Sequence, residues 1–185
     1  GKANNFLAAL SEAAFMTGLE RNADVVRLAT YAPLFAHVDA WQWNPDLIWF
    51  DNLRVMRTPN YYVQQMYGMN TGTAVLPLLL DGKPVAGQDS LYASAVRNEP
   101  TGEVIVKVVN AGSHAAKARI DFTGLKKQQL VAGTCTYMQS ADWKAVNTFE
   151  HEWLAPRTTP VQVQARSVEV ELQPRSFAVY RLQVR

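Results

Sequence analysis

The chain has 185 residues, 48% of them hydrophobic and 18% charged, with a formal net charge of +2 and a single cysteine. That is enough chain to bury a core and too apolar a composition for a disordered tail. The scattered basic residues exclude a nucleic-acid partner, lone Cys135 excludes an internal disulfide and a thiolate metal site, and no apolar run approaches the roughly 18 residues that span a bilayer.

Taken in order, the chain opens without the basic, apolar and small-residue series of a signal peptide, and Gly1 in place of Met is the expectation for a segment cut from a longer chain. Phe6, Leu7, Leu10, Ala13, Ala14, Met16 and Leu19 recur at helical spacing, which predicts a helix from Asn5 to Arg21 with Asn4 or Asn5 as its cap and Asn22 at its end. Glu12 and Glu20 are placed on its exposed side. Val25 to Ala29 then reads as a short apolar strand, so that helix, turn and strand form half of a β/α unit.

The stretch from Tyr31 to Phe50 organises the rest. It begins as an apolar strand and runs into a loop that gathers His37, Asp39, Trp41, Gln42, Trp43 and Asn44, residue types that hold polar, ring-shaped ligands. The bland reading stands beside the functional one. Trp49, inside Leu47-Ile48-Trp49-Phe50, is core filling; Trp41 and Trp43 fit core and ligand equally; Asn44-Pro45-Asp46 forms turns anywhere. Thr58-Pro59 then starts a second helix, continued by Tyr62, Val63, Met66 and Tyr67 and ended by Gly68.

From Gly72 the spacing changes to two residues, the pattern of an antiparallel β-sandwich or jelly roll. Expected strands are 73–80, 90–97, 103–110, 118–123, 129–138, 161–164, 167–173 and 176–183. Pro100-Thr101-Gly102 is a hairpin turn, Gln173-Pro174-Arg175 joins the last two strands, and 142–160 reads as a long loop. The fold class is therefore mainly β, with residues 1–71 as a helix-strand-helix unit and 72–185 as the sandwich.

No catalytic centre can be assembled from these residues. Glycoside hydrolysis needs two carboxylates facing each other across the bond, and Glu12, Glu20, Asp46, Glu169 and Glu171 sit in no such pairing. His37, His114 and His151 lack ligand spacing, and Ser11, Ser90 and Cys135 lack a nucleophile context, so neither metal nor cofactor is expected.

A resemblance becomes specific at Tyr31-Ala32-Pro33-Leu34-Phe35, at Trp43-Asn44-Pro45-Asp46 and at Thr58-Pro59-Asn60-Tyr61-Tyr62-Val63-Gln64-Gln65. Together with Glu12 to Asn22 and Asn147-Thr148-Phe149, these segments resemble the C-terminal part of family 51 glycoside hydrolases, the α-L-arabinofuranosidases of plants and gut bacteria. The resemblance implies a (β/α)8 barrel whose two catalytic glutamates lie upstream, with a jelly roll packed against it. It further implies an extracytoplasmic location and an arabinose-containing plant glycan as substrate. The chain would then contribute the last helices, strand eight and its rim loop, departing from the family pattern at His37 and at Ala40-Trp41-Gln42. The alternative is a carbohydrate-binding module. Such a module exposes a planar row of aromatics, whereas Tyr92, Tyr137, Trp143, Trp153, Phe177 and Tyr180 are dispersed, so a structural brace is the stronger expectation.

Overall fold

The structure is a computed structural model and describes residues 3–185. Helix α1 spans Phe6–Arg21, capped as expected by Asn5, whose side chain accepts from the Ala8 N–H at 3.0 Å; Asn22 closes its other end. Two more free N–H groups of its first turn, on Phe6 and Leu7, donate to the carbonyls of Ala145 and Trp143, so a loop far along the chain completes the helix start. Helix α2 spans Pro59–Gly68, with Thr58 accepting from the Tyr61 N–H at 3.2 Å and Pro59 at the first helical position.

Between the helices lie three short strands: β1 (Phe35–His37), β2 (Ile48–Phe50) and β3 (Val55–Arg57), with β1 parallel to β2 and β2 antiparallel to β3. Sequence spacing showed neither β2 nor β3, because runs of three residues carry too little periodicity to register. Val25 to Ala29 is not a strand. It makes no ladder, and Val25 and Leu28 are 77% and 82% exposed, since no neighbouring strand in this chain is positioned to pair with it.

The remaining strands are β4 (Ala74–Leu76), β5 (Leu79–Leu80), β6 (Lys83–Pro84), β7 (Leu91–Asn98), β8 (Glu103–Asn110), β9 (Ala116–Asp121), β10 (Leu130–Gln139), β11 (Arg157–Pro160), β12 (Val163–Gln164), β13 (Ser167–Leu172) and β14 (Ser176–Val184). Six of them form an antiparallel sheet in the order β11-β10-β14-β8-β7-β4, and β12-β13-β9 form a smaller antiparallel sheet facing it. The expected strand 73–80 is broken at Pro77, which has no N–H for a ladder; its second part turns back as the small β5-β6 hairpin. The expected loop 142–160 ends in strand β11, paired with Thr134 to Tyr137. Gly102 closes the β7-β8 hairpin at φ +66°, a conformation that glycine adopts without strain.

Both faces of the large sheet are covered, which explains the nearly unbroken apolar run of β8. Val104, Val106 and Val108 point to the small sheet and join Val168, Val170, Leu172 and Tyr180 in one core. Ile105 and Val109 point the other way, into a second core with Phe177 of β14 and with Phe6, Leu10, Tyr62, Val63 and Met66 of the two helices. The helices thus form a third layer on the sheet rather than a separate body. Lys107 belongs to that second face and is fully buried there. Its ammonium meets the Glu20 carboxylate, donates to the Asn70 carbonyl at 2.7 Å and lies 5.4 Å from the Tyr67 ring centre. The sequence expectation of an exposed Glu20 is corrected: the side chain faces inward because a buried ammonium needs a counter-charge.

A candidate rim loop and the loop that clamps it

The loop after β1 carries the residues singled out from the sequence. His37 ends the strand: its Nδ1 accepts from the Asp39 N–H at 3.2 Å, its Nε2 approaches Asn52 at 3.4 Å, and its ring meets Phe50 edge-on at 5.3 Å. Histidine therefore shapes the turn rather than standing free. Asp39, Gln42 and Asn44 are exposed. Trp41 leans edge-on against Trp49 at 6.2 Å, whereas Trp43 is 62% exposed and offers a free ring. The strand that delivers this loop is less buried than its composition suggests. Only Ala36 is covered, and Leu34 and Phe35 face solvent, since no described residue packs over them.

Beneath the loop is a polar cluster whose carboxylates, Glu12 and Asp46, the sequence reading assigned to the surface. The Asn4 side chain donates to the Asp46 carbonyl at 2.8 Å and accepts from the Tyr31 hydroxyl at 3.1 Å. Glu12, far from exposed, accepts from both Asn60 and Gln64 of α2; burial raises its pKa and the two amide donors hold that rise back. Asp46 is 2% exposed, and its Oδ2 has no hydrogen-bond partner among the described residues.

Burial raises the Asp46 pKa above its ordinary 3.8. A carboxyl that binds its proton more tightly when folded weakens the fold as pH climbs through the interval between its unfolded and folded values. Asp46→Asn keeps the shape without the charge. The expected result is a higher melting temperature at pH 7 and a flatter pH dependence above 3.8; a variant melting lower at pH 7 would mean that the ionised carboxylate is stabilising.

Spacing alone also missed the loop between β10 and β11, of which only Asn147-Thr148-Phe149 stood out. Asn147 is buried and donates to the Arg57 carbonyl at 2.9 Å while accepting from the Leu154 N–H at 3.0 Å. Glu152 accepts from the Arg57 N–H at 2.9 Å and from the Tyr62 hydroxyl. Arg54 bridges Asp51 at 2.9 Å and Glu150 at 3.3 Å, with its guanidinium 5.0 Å over the Phe149 ring. The sandwich thereby grips β3 and the β2-β3 turn, the turn that His37 touches through Asn52.

With this geometry in place, the comparisons are specific. Residues 1–176 match the family model described as the alpha-L-arabinofuranosidase C-terminal domain. Alpha-L-arabinofuranosidase 1 of Arabidopsis thaliana is 33% identical over 183 residues, which is 96% of this chain and 26% of that protein. An extracellular exo-alpha-L-arabinofuranosidase of Streptomyces chartreusis is 45% identical over 116 residues, 62% of this chain and 14% of that protein. The arabinose-bound structure of the MgGH51 α-L-arabinofuranosidase matches with a TM-score of 0.88 at 30% identity, over 100% of this chain and 28% of that one. The chain spans about a quarter of the length of such relatives, and two helices on antiparallel sheets are what it shares with the C-terminal region of that structure. The chain belongs to the family of α-L-arabinofuranosidase C-terminal domains.

Proposed function

We propose that this chain is the C-terminal part of a retaining α-L-arabinofuranosidase that removes terminal arabinofuranosyl groups from arabinan or arabinoxylan. In this reading residues 1–71 are the last helices and eighth strand of a (β/α)8 barrel, and residues 72–185 are a jelly-roll brace. The catalytic glutamates lie outside it. The observation that supports the reading best is the segment Val25 to Ala29, which is apolar apart from Arg27, makes no strand ladder, is largely exposed, and leads into the strand β1 that delivers the rim loop. In this reading the segment would pair with strands in another part of the protein, and loops that follow barrel strands are where substrate is held.

The rim loop binds sugar without doing chemistry. Trp43 supplies a stacking face, and Asp39, Gln42 and Asn44 supply partners for hydroxyls, with His37 and Trp41 setting the loop's shape. In the complete enzyme, Asp39→Ala and Trp43→Ala are each expected to lower kcat/KM by about 1–3 kcal/mol of transition-state stabilisation, roughly 5- to 150-fold. If both leave kcat/KM unchanged and lower only the melting temperature, the loop is scaffold and this assignment is wrong.

A further inference from the structure

One aromatic ring stands in solvent on the sandwich itself. Trp153 is 62% exposed although both sequence neighbours are engaged, Leu154 in the core and Glu152 with Arg57 and Tyr62. The His151 ring holds it from one side, with centroids 4.0 Å apart and planes inclined by 58°. The ring borders a cleft of about 560 Å³ with Met138 and Leu154 in its floor and Gln139, Asp142 and Arg157 around it. Arg157 stands exposed on edge strand β11 opposite Tyr137, and one oxygen of Asp142 accepts from the Lys144 N–H at 2.9 Å, which holds that carboxylate in place.

We infer that this cleft is a second saccharide site, taking one or two neutral sugar rings with Trp153 as the stacking face. A sugar ring presents a flat C–H face and an edge of hydroxyls that both donate and accept. The cleft offers the complement of each: one accessible indole, a guanidinium that only donates, a carboxylate that only accepts and an amide that does both. Its size is that of an ordinary small-ligand site. Arg157 and Asp142 balance in charge, so an anionic ligand gains little. A long aromatic platform is excluded by the other rings: Phe177 and Tyr180 are buried, and Trp143 is covered by the Arg175 guanidinium at 4.6 Å. One ring binds weakly, so the site acts by holding a polymer that a second site also holds. That last role rests on the function proposed above; the binding does not.

The test is native electrophoresis of this chain through gels containing arabinan, arabinoxylan, a neutral β-glucan or polygalacturonate. The expected result is retardation by at least one neutral glycan, weakened about tenfold in Trp153→Ala, as for the loss of one stacked ring, reduced in Arg157→Ala and unchanged in Phe15→Ala, an exposed aromatic on α1 outside both proposed sites. All three altered side chains are exposed, and equal melting temperatures confirm that the variants fold. Equal mobility in every neutral gel, retardation that survives Trp153→Ala, or retardation by polygalacturonate alone overturns the inference. Binding through Trp153 in a complete protein with no arabinofuranosidase activity would uphold this site and remove the proposed function, so the two can fail separately.

Discussion

Glu20→Ala is expected to destabilise the chain by about 3 kcal/mol, because it strands the ammonium of Lys107 in a fully buried position. The Glu20 carboxylate also accepts from the Ser94 hydroxyl at 2.5 Å, so the substitution breaks a network that ties α1 to β7 and β8. Placed near the C-terminus of α1, a carboxylate is opposed by the helix dipole, and only the buried lysine makes the position favourable. For a chain of this length the loss corresponds to a fall in melting temperature of roughly 6–12 °C. Urea unfolding at an unchanged slope measures it directly, and a loss below about 1 kcal/mol would show that Lys107 finds other partners or water. The double variant Glu20→Leu with Lys107→Met should recover much of the stability, since apolar residues of similar size replace the pair. The pH dependence gives an independent check. Burial already lowers the Lys107 pKa, and Glu20 opposes that fall. Without Glu20 the folded pKa drops further below the unfolded 10.5, so the deficit of Glu20→Ala should shrink as pH rises toward that value.

No hydrolysis of an aryl α-L-arabinofuranoside is expected from this chain alone, a loss of the whole catalysed rate rather than a fraction of it. Retaining hydrolysis needs two carboxyl groups about 5 Å apart across the bond, one protonated and one free to attack. Four inward-facing carboxylates are committed elsewhere, Glu12 to Asn60 and Gln64, Glu20 to Lys107 and Ser94, Glu103 to Arg181, and Glu152 to Arg57 and Tyr62, and a fifth, Asp46, is only 2% exposed and closed off from a substrate in solution. Asp39 is exposed on the rim, and between His37 and Asn44 there is no second carboxylate. Turnover by the pure chain, abolished by changing one of its own residues, would overturn both this expectation and the assignment of the rim loop to binding.

Features whose physics is local were legible in the chain's residues alone. Helix ends followed from Asn5 and from Thr58-Pro59, because a cap is a hydrogen bond across three residues. The long strands β7, β8, β10, β13 and β14 were evident from two-residue spacing, and the β7-β8 hairpin from Pro100-Thr101-Gly102. The family was legible for a similar reason: its segments are contiguous runs that need no folding to compare.

The remaining features depend on groups that only the folded chain brings together. Glu20 and Lys107 are 87 residues apart, and neither residue's surroundings announce a buried pair. The clamp joins Asn147 to Arg57 across 90 residues, and in sequence those polar side chains resemble any solvated loop. Strand ladders are long-range as well. The spacing that marked Val25 to Ala29 as a strand could not show that no described strand lies where it could pair with it, and the three-residue strands β1 to β3 exist only because they bond to one another. Trp153 differs from Trp143 for the same reason. One ring is covered by an arginine from the turn before β14 and the other is left open beside a cleft, and that difference arises from packing between elements rather than from the residue type.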